Sequence, residues 1–288
     1  MSGSTKILLV IALVSGGCGG GGGTPDAGTA DAAVLNGTMS LTWRITDMGG
    51  NALACDDIAA GSVTITAQPT AGGFAVSAPF TCSDGSGTAS GIAPGTYDVT
   101  VRLTSTLGTL ATGALMSGVE VVTNQDVALG EQVFAVDPSG NVSFRVDTGA
   151  TAGNCDDPGA GGGGLTQLEI RLLDGTGTCV PTAFAIDDGT ASPPPDYQSD
   201  CAGATIGCYD KDVTFSVTGA DSGTHMLDIR GQKGGLDCYS RTADLVIPGA
   251  GLTRQLGSQM LFLAATPQCD PNAPDAGPTP DAGTADAM

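Results

Sequence analysis

The chain has 288 residues and a formal charge of −20, with 30 acids against 10 Lys and Arg. It lacks the basic footprint that phosphate contacts require, which argues against nucleic acid as a partner. Aromatics make up 4% and charged residues 14%, Gly is abundant, and short Val, Ile, Thr and Leu alternations recur without a helical apolar stripe longer than two turns, so β-structure with Gly-rich turns is expected.

The chain opens with one basic side chain, Lys6, then an unbroken apolar run from Ile7 to Val14 and the small residues Ser15, Gly16 and Gly17. This is the order of a secretory signal peptide, and the run is too short for a spanning helix, which needs about 20 apolar residues. The small residues ending at Cys18 resemble the lipobox of bacterial lipoproteins, with Ser15 where that family carries Leu, Val or Ile. The resemblance implies cleavage after residue 17, diacylglycerol on the Cys18 thiol and a membrane anchor, because each buried methylene contributes about 0.8 kcal/mol. Gly19, in place of the aspartate that resembles an inner-membrane retention signal, leans towards the outer membrane. The alternative is ordinary cleavage near Gly16 and release of a soluble secreted protein. Cysteine arithmetic favours lipidation: nine cysteines are odd, and Cys18 removes one from the count.

Gly19 to Gly23 and the segment TPDAGTADA, which occurs at Thr24–Ala32 and again at Thr279–Ala287, hold too little apolar surface to offset the entropy of ordering. Residues 18–33 are therefore expected to be a lipidated flexible linker and 269–288 a disordered acidic tail.

Between them lies an internal repeat of about a hundred residues, read as two related domains, 34–137 and 138–268. Leu41, Trp43 and Ile45 alternate along a first strand, as do Val142, Phe144 and Val146. Cys55-Asp56-Asp57 answers to Cys155-Asp156-Asp157, and Val63, Ile65 and Ala67 to Leu168, Ile170 and Leu172. Cys82 matches Cys208, PGTYDVTV at Pro94 matches SGTHMLDI at Ser222, and GEQVF at Gly130 matches GSQML at Gly257. Period-two alternation with one apolar face gives strands that each cover a core, and several joined by Gly and Pro turns give all-β, tandem antiparallel β-sandwiches with disordered termini. The PGTYDVTV hairpin and the strand rhythm resemble small sandwiches of the prealbumin-like and carboxypeptidase-regulatory-like kind, which are Ig-like in outline. The resemblance implies a noncatalytic module. The second copy departs at 174–207, read as an inserted loop with Cys179 and Cys201 near its ends.

In an oxidising compartment the remaining cysteines read as disulfides: Cys55–Cys82 and Cys155–Cys208 from the repeat, with Cys179–Cys201 closing the insertion and Cys238–Cys269 tying down the last strand as the assumed remainder. A zinc site is the rival, but there is no CxxC spacing and one histidine. That histidine, His225, would have to serve any Ser-His-Asp arrangement; it lies where Tyr97 lies in the first copy, on the face of Leu227 and Ile229, so packing is the simpler reading. Asp56, Asp57, Asp156 and Asp157, with Asp84 and Asp210 near the partner cysteines, are candidates for calcium at loop ends, set against the plainer reading as turn residues. Gly161–Gly164 lacks the Lys-Ser or Lys-Thr of a phosphate loop. Trp43 reads as core, and Tyr197 beside three prolines as a ring available to a glycan or protein. The expectation is an anchored surface or periplasmic lipoprotein with a noncatalytic structural or binding role. A calcium-dependent or carbohydrate-binding adhesin is the alternative and a hydrolase a third.

Overall fold

The computed structural model describes residues 36–266, Gln268 and Cys269. Cys18, the leader, the linker and the acidic tail beyond Cys269 lie outside the described residues. Regular structure is strand throughout, interrupted by 3₁₀ turns at Asp56–Ile58, Cys82–Asp84 and Pro158–Ala160.

The first copy runs β1 (Gly37–Thr46), β2 (Ala52–Leu53), β3 (Ser62–Pro69), β4 (Val76–Thr81), β5 (Ser86–Ile92), β6 (Gly95–Ser105), β7 (Gly108–Thr112), β8 (Met116–Val121) and β9 (Asp126–Ala135). One sheet is built on β1, paired with β2, β5 and β9; the other has the order β4-β3-β6-β7, with β8 also on β6. Alternation decides the layers. Met39, Leu41, Trp43 and Ile45 of β1 face Val63, Ile65 and Ala67 of β3 and Val99, Val101 and Leu103 of β6 across one buried core. Trp43 is core, as expected, and its indole N–H donates to the Cys82 carbonyl at 2.8 Å.

The second copy runs β10 (Ser139–Asp147), β11 (Gln167–Asp174), β12 (Cys179–Val180), β13 (Thr182–Asp187), β14 (Tyr197–Ser199), β15 (Ile206–Gly207), β16 (Thr214–Asp221), β17 (Gly223–Lys233), β18 (Leu236–Ile247), β19 (Thr253–Met260) and β20 (Phe262–Leu263). Its sheets have the orders β14-β13-β16-β10-β19 and β12-β11-β17-β18-β20, with β15 also on β11. The core is richer in rings than the first: Phe144 stacks on Phe215 at 5.7 Å between centroids, and Phe184 on Tyr197 at 5.9 Å.

The chain is all-β with two tandem sandwiches, and each adds one parallel pair to an otherwise antiparallel pattern: β1 with β9 and β10 with β19. The parallel pair has a consequence for the chain path. In the first copy the first and last strands run the same way, so the chain enters that sandwich at one end and leaves it at the other. A bulge sits at the same place in both pairs, where Gly130 (φ 81°) and Gly257 (φ 66°) take left-handed backbone that β-branched residues resist.

The two cores meet at a built junction. The Ile58 carbonyl accepts from Gly249 N at 3.1 Å, Ser222 Oγ donates to the Asp57 and Pro138 carbonyls, and Ala250 and Leu252 pack against the first core. A Cβ at Gly249 would lie 2.9 Å from the Asp137 carbonyl and 3.1 Å from Ile58 Cβ, so the close approach requires glycine there. Among the described residues no helix is long and apolar enough to cross a membrane.

Candidate binding cavity in the second sandwich

The stretch 174–207, read from the sequence as an inserted loop, carries four short strands, β12 to β15, between its turns. β12 pairs with β11 through Leu172↔Val180, and after the single residue Pro181 the chain joins the opposite sheet, where β13 pairs with β16 through Ala185↔Ser216. In the first copy the strand after the hairpin tip stays put: β4 pairs with β3 along its whole length. Proline suits this corner because it has no N–H to leave unpaired as the ladder breaks. The Cys179–Cys201 disulfide fastens the corner to the return of the loop.

At this change of sheet lies a pocket of about 290 Å³ open to solvent. Leu172, Val180, Pro181, Ala183, Ala185 and Val217 provide its apolar wall, and Thr182, Ser216, Thr218, Asp196, Asp221 and His225 its polar one. His225, from the start of β17, is 5% exposed. It faces inward with Leu227 and Ile229, as the alternation implies. Its Nδ1 donates to the Gly223 carbonyl at 3.2 Å. Across the ladder, Asp174 is held by its own turn, with Thr176 and Thr178 donating to Oδ1; the Thr176 hydroxyl first, then the turn amides and the nearby imidazole, keep that carboxyl below its ordinary value.

Tyr97 occupies the position of His225, is 4% exposed, and donates its hydroxyl to the Ala93 carbonyl at 2.7 Å.

Of the aspartates singled out from the sequence, Asp156 and Asp210 come beside each other and the others lie apart. Asp57 accepts from Ala54 N at 2.7 Å in the junction turn, whereas Asp157 accepts from Gly159 N at 2.7 Å at the far end of the second sandwich. Asp210 accepts from Asn154 N at 3.0 Å, with Asp156 nearby, and Asp56 and Asp84 flank the first disulfide. Among the described residues no three His, Cys, Asp or Glu side chains converge to hold a metal. The disulfides are Cys55–Cys82, Cys155–Cys208, Cys179–Cys201 and Cys238–Cys269, the pairs drawn from the repeat and its remainder. Bonds of this number place the chain in an oxidising compartment, as an exported protein.

Two residues behave differently from their sequence reading. Tyr197 is not an available ring: it is 5% exposed, stacked on Phe184, and its hydroxyl donates to the Ala204 carbonyl at 2.6 Å, because β14 folds the proline loop back over the core. Burial raises its phenol pKa above the ordinary range. Asn154, passed over in the sequence, is completely buried. It accepts from Thr148 N and donates to the Val146 and Tyr209 carbonyls, clamping the Gly-rich loop. Its own carbonyl accepts from Leu165 N, and the run Gly161–Gly164 lets the returning chain lie against 153–157. Nothing in the pattern around Asn154 distinguishes it from a surface turn residue.

No family model matches the sequence, and no curated protein matches it. Among solved structures, the chain is similar to the Bacillus anthracis TIE protein at 12% identity and TM-score 0.27, covering 78% of this chain and 34% of that one. The shaft pilin SpaA of Lactobacillus rhamnosus GG matches at 12% identity and TM-score 0.26, covering 80% and 99%. The major pilin of Streptococcus pyogenes matches at 9% and 0.25, covering 79% and 98%. The chain thus spans about a third of the TIE protein's length. At these identities and TM-scores the likeness carries no argument about fold or function.

Proposed function

We propose that this chain is an exported, noncatalytic binding module held at the bacterial cell surface or periplasmic face through a lipid on Cys18, with the first sandwich as spacer and the second as the ligand-bearing unit. The observation that carries the reading is the contrast between the copies: Tyr97 fills its sandwich, while His225 borders an open cavity at the corner where the chain changes sheets. Support for a noncatalytic role comes from the ring's setting. His225 is oriented by a backbone carbonyl, and no hydrogen bond joins it to Ser216, the hydroxyl nearest in kind to a nucleophile on the cavity wall. The lipobox-like end at Cys18 and the pairing of the other eight cysteines support the tether. Partners are then a membrane, through the lipid, and a ligand of the second sandwich.

Fractionating cells that express the chain or Cys18→Ser tests the tether. The expected result is that the native chain stays with membranes until detergent is added, while the variant is recovered in the soluble periplasmic or medium fraction. Equal partition of the two chains contradicts a lipid on Cys18.

A further inference from the structure

We infer that the leading end of the first sandwich is a membrane-docking face, with Phe74 seated in the lipid interface; the inference rests on the lipid tether read at Cys18. The ladders bring this end together. β3 and β6 set Pro69 opposite Tyr97, β1 and β5 set Gly37 opposite Ile92, and β6 and β8 set Gly95 opposite Val121. Backbone bonds join the turns: Thr70 N donates to the Thr96 carbonyl at 3.0 Å, Asn124 N to the Asn36 carbonyl at 3.2 Å and Thr38 N to the Gln125 carbonyl at 2.9 Å. Phe74 stands on the β3–β4 turn at 97% exposure, above every other large apolar side chain among the described residues. The turn that carries it is fixed, since Gly72 N donates to the Pro69 carbonyl at 3.1 Å and the Gln68 side-chain amide to the Gly73 carbonyl at 3.1 Å. Val122, also exposed, lies on the same end.

Two independent observations bear on what covers this end. The first is charge. In a chain of net charge −20, residues 36–37, 69–75, 92–95 and 121–125 hold no Asp, Glu, Lys or Arg. The carboxylates next to them sit in the strands: Asp126 accepts from the Thr38 and Ser40 hydroxyls, Asp98 from Gly118 N, and Glu120 stands opposite Thr96. An uncharged rim with an exposed ring meets a bilayer without the desolvation that burying a charge costs. The second is the repeat. The corresponding end of the second sandwich, formed by Ser222 and the turn at 248–252, is a docked one, bonded to Asp57 and Ile58 and packed on the first core. In the first sandwich the same end turns Phe74 and Val122 to solvent. The occupant follows from the course of the chain. Asn36 lies on this end, and the eighteen residues from Cys18 to Leu35 span at most about 60 Å extended and roughly 20–25 Å as a flexible chain. A lipid on Cys18 therefore holds the end within reach of the bilayer, at an effective concentration that lets a single ring and a valine suffice.

Trp43 is the only tryptophan and is buried in the half of β1 away from this end, so added tryptophans report their own positions. The mature lipidated chain is reconstituted in phosphatidylcholine vesicles with and without bromine on the acyl chains, and quenching of tryptophan emission is read. Phe74→Trp places the reporter on the face. Met48→Trp, at a side chain 75% exposed in the turn at the other end of β1, controls for the preference of tryptophan itself for lipid interfaces. Emission of Phe74→Trp should shift to the blue on reconstitution and be quenched at least about twofold more than that of Met48→Trp, with the native chain unquenched. Hydrogen exchange of the 69–75 amides in the native sequence should slow on reconstitution, and Phe74→Ser should remove that protection at unchanged melting temperature. A chain that sediments with vesicles while its two reporters are quenched alike overturns the docking face and leaves the tether. A chain that does not sediment overturns the tether and the docking face together. A blue shift of Phe74→Trp that grows with protein concentration in the absence of vesicles assigns the face to a second copy of the chain and overturns the membrane as its occupant.

Discussion

Asn154 carries more of the second sandwich than its place in a Gly-rich loop implies. Its side chain satisfies Thr148 N, the Val146 carbonyl and the Tyr209 carbonyl, so removal leaves buried backbone groups without partners. Asn154→Ala should therefore lower stability by about 2 kcal/mol or more, read as a lower urea midpoint at unchanged slope. Tyr197→Ala should cost about 3 kcal/mol by the same measurement, since it removes both the Phe184 stack and the bond to Ala204. Hydrogen-bonded aspartates in turns and on β9 set the response to acid. Side-chain hydroxyls and turn amides hold Asp126, Asp174 and Asp188 below their ordinary value of 3.8. A depressed carboxyl contributes stability that is present above the unfolded value and lost as pH falls through the folded one. Melting temperature should thus be flat from neutral pH to about 5 and decline below about 4, in line with ordinary carboxyl values.

At the scale of elements, the strands that alternate cleanly were legible. Leu41-Trp43-Ile45 and Val142-Phe144-Val146 place one residue in two on the core, and that spacing alone assigns a strand and its inner face. The repeat also made the cysteine pairs legible, because Cys55 and Cys82 recur as Cys155 and Cys208 at matched strand ends. The change of sheet at Pro181 was not legible. Val180 and Phe184 keep the same two-residue rhythm whichever sheet they join, so periodicity reports a strand but not its neighbour. The candidate site lies at that crossing, and for this reason His225 read as packing alone. Tyr197 misled for a related reason: prolines mark a loop, but not whether the loop folds over a core. Replacing both cysteines of either repeat bridge by alanine should cost about 2–4 kcal/mol. Cys155–Cys208, which spans 53 residues against 27 for Cys55–Cys82, should cost more by roughly 0.6 kcal/mol, as compared by denaturation of the otherwise oxidised protein.

At the scale of the molecule, the parallel first-to-last pairing in the first copy sends the chain out of the end opposite to its entry, which suits a spacer that carries the second unit onward. The junction makes the pair one body. Ile58 is buried against Gly249, and the loop after β18 lays Ala250 and Leu252 on the first core. Gly249→Val should force this contact open, and NMR relaxation should then report two sandwiches tumbling separately, where the native chain tumbles as one. Unchanged relaxation in that variant contradicts a packed junction. The account's central claim is a lipid-held, oxidised, exported module, and intact mass of the protein taken from membranes tests it most directly. The account predicts a chain beginning at Cys18 that carries diacylglycerol and an amide-linked acyl chain, with eight cysteines alkylated only after reduction. An unmodified chain beginning near Gly17, or free thiols before reduction, would contradict it.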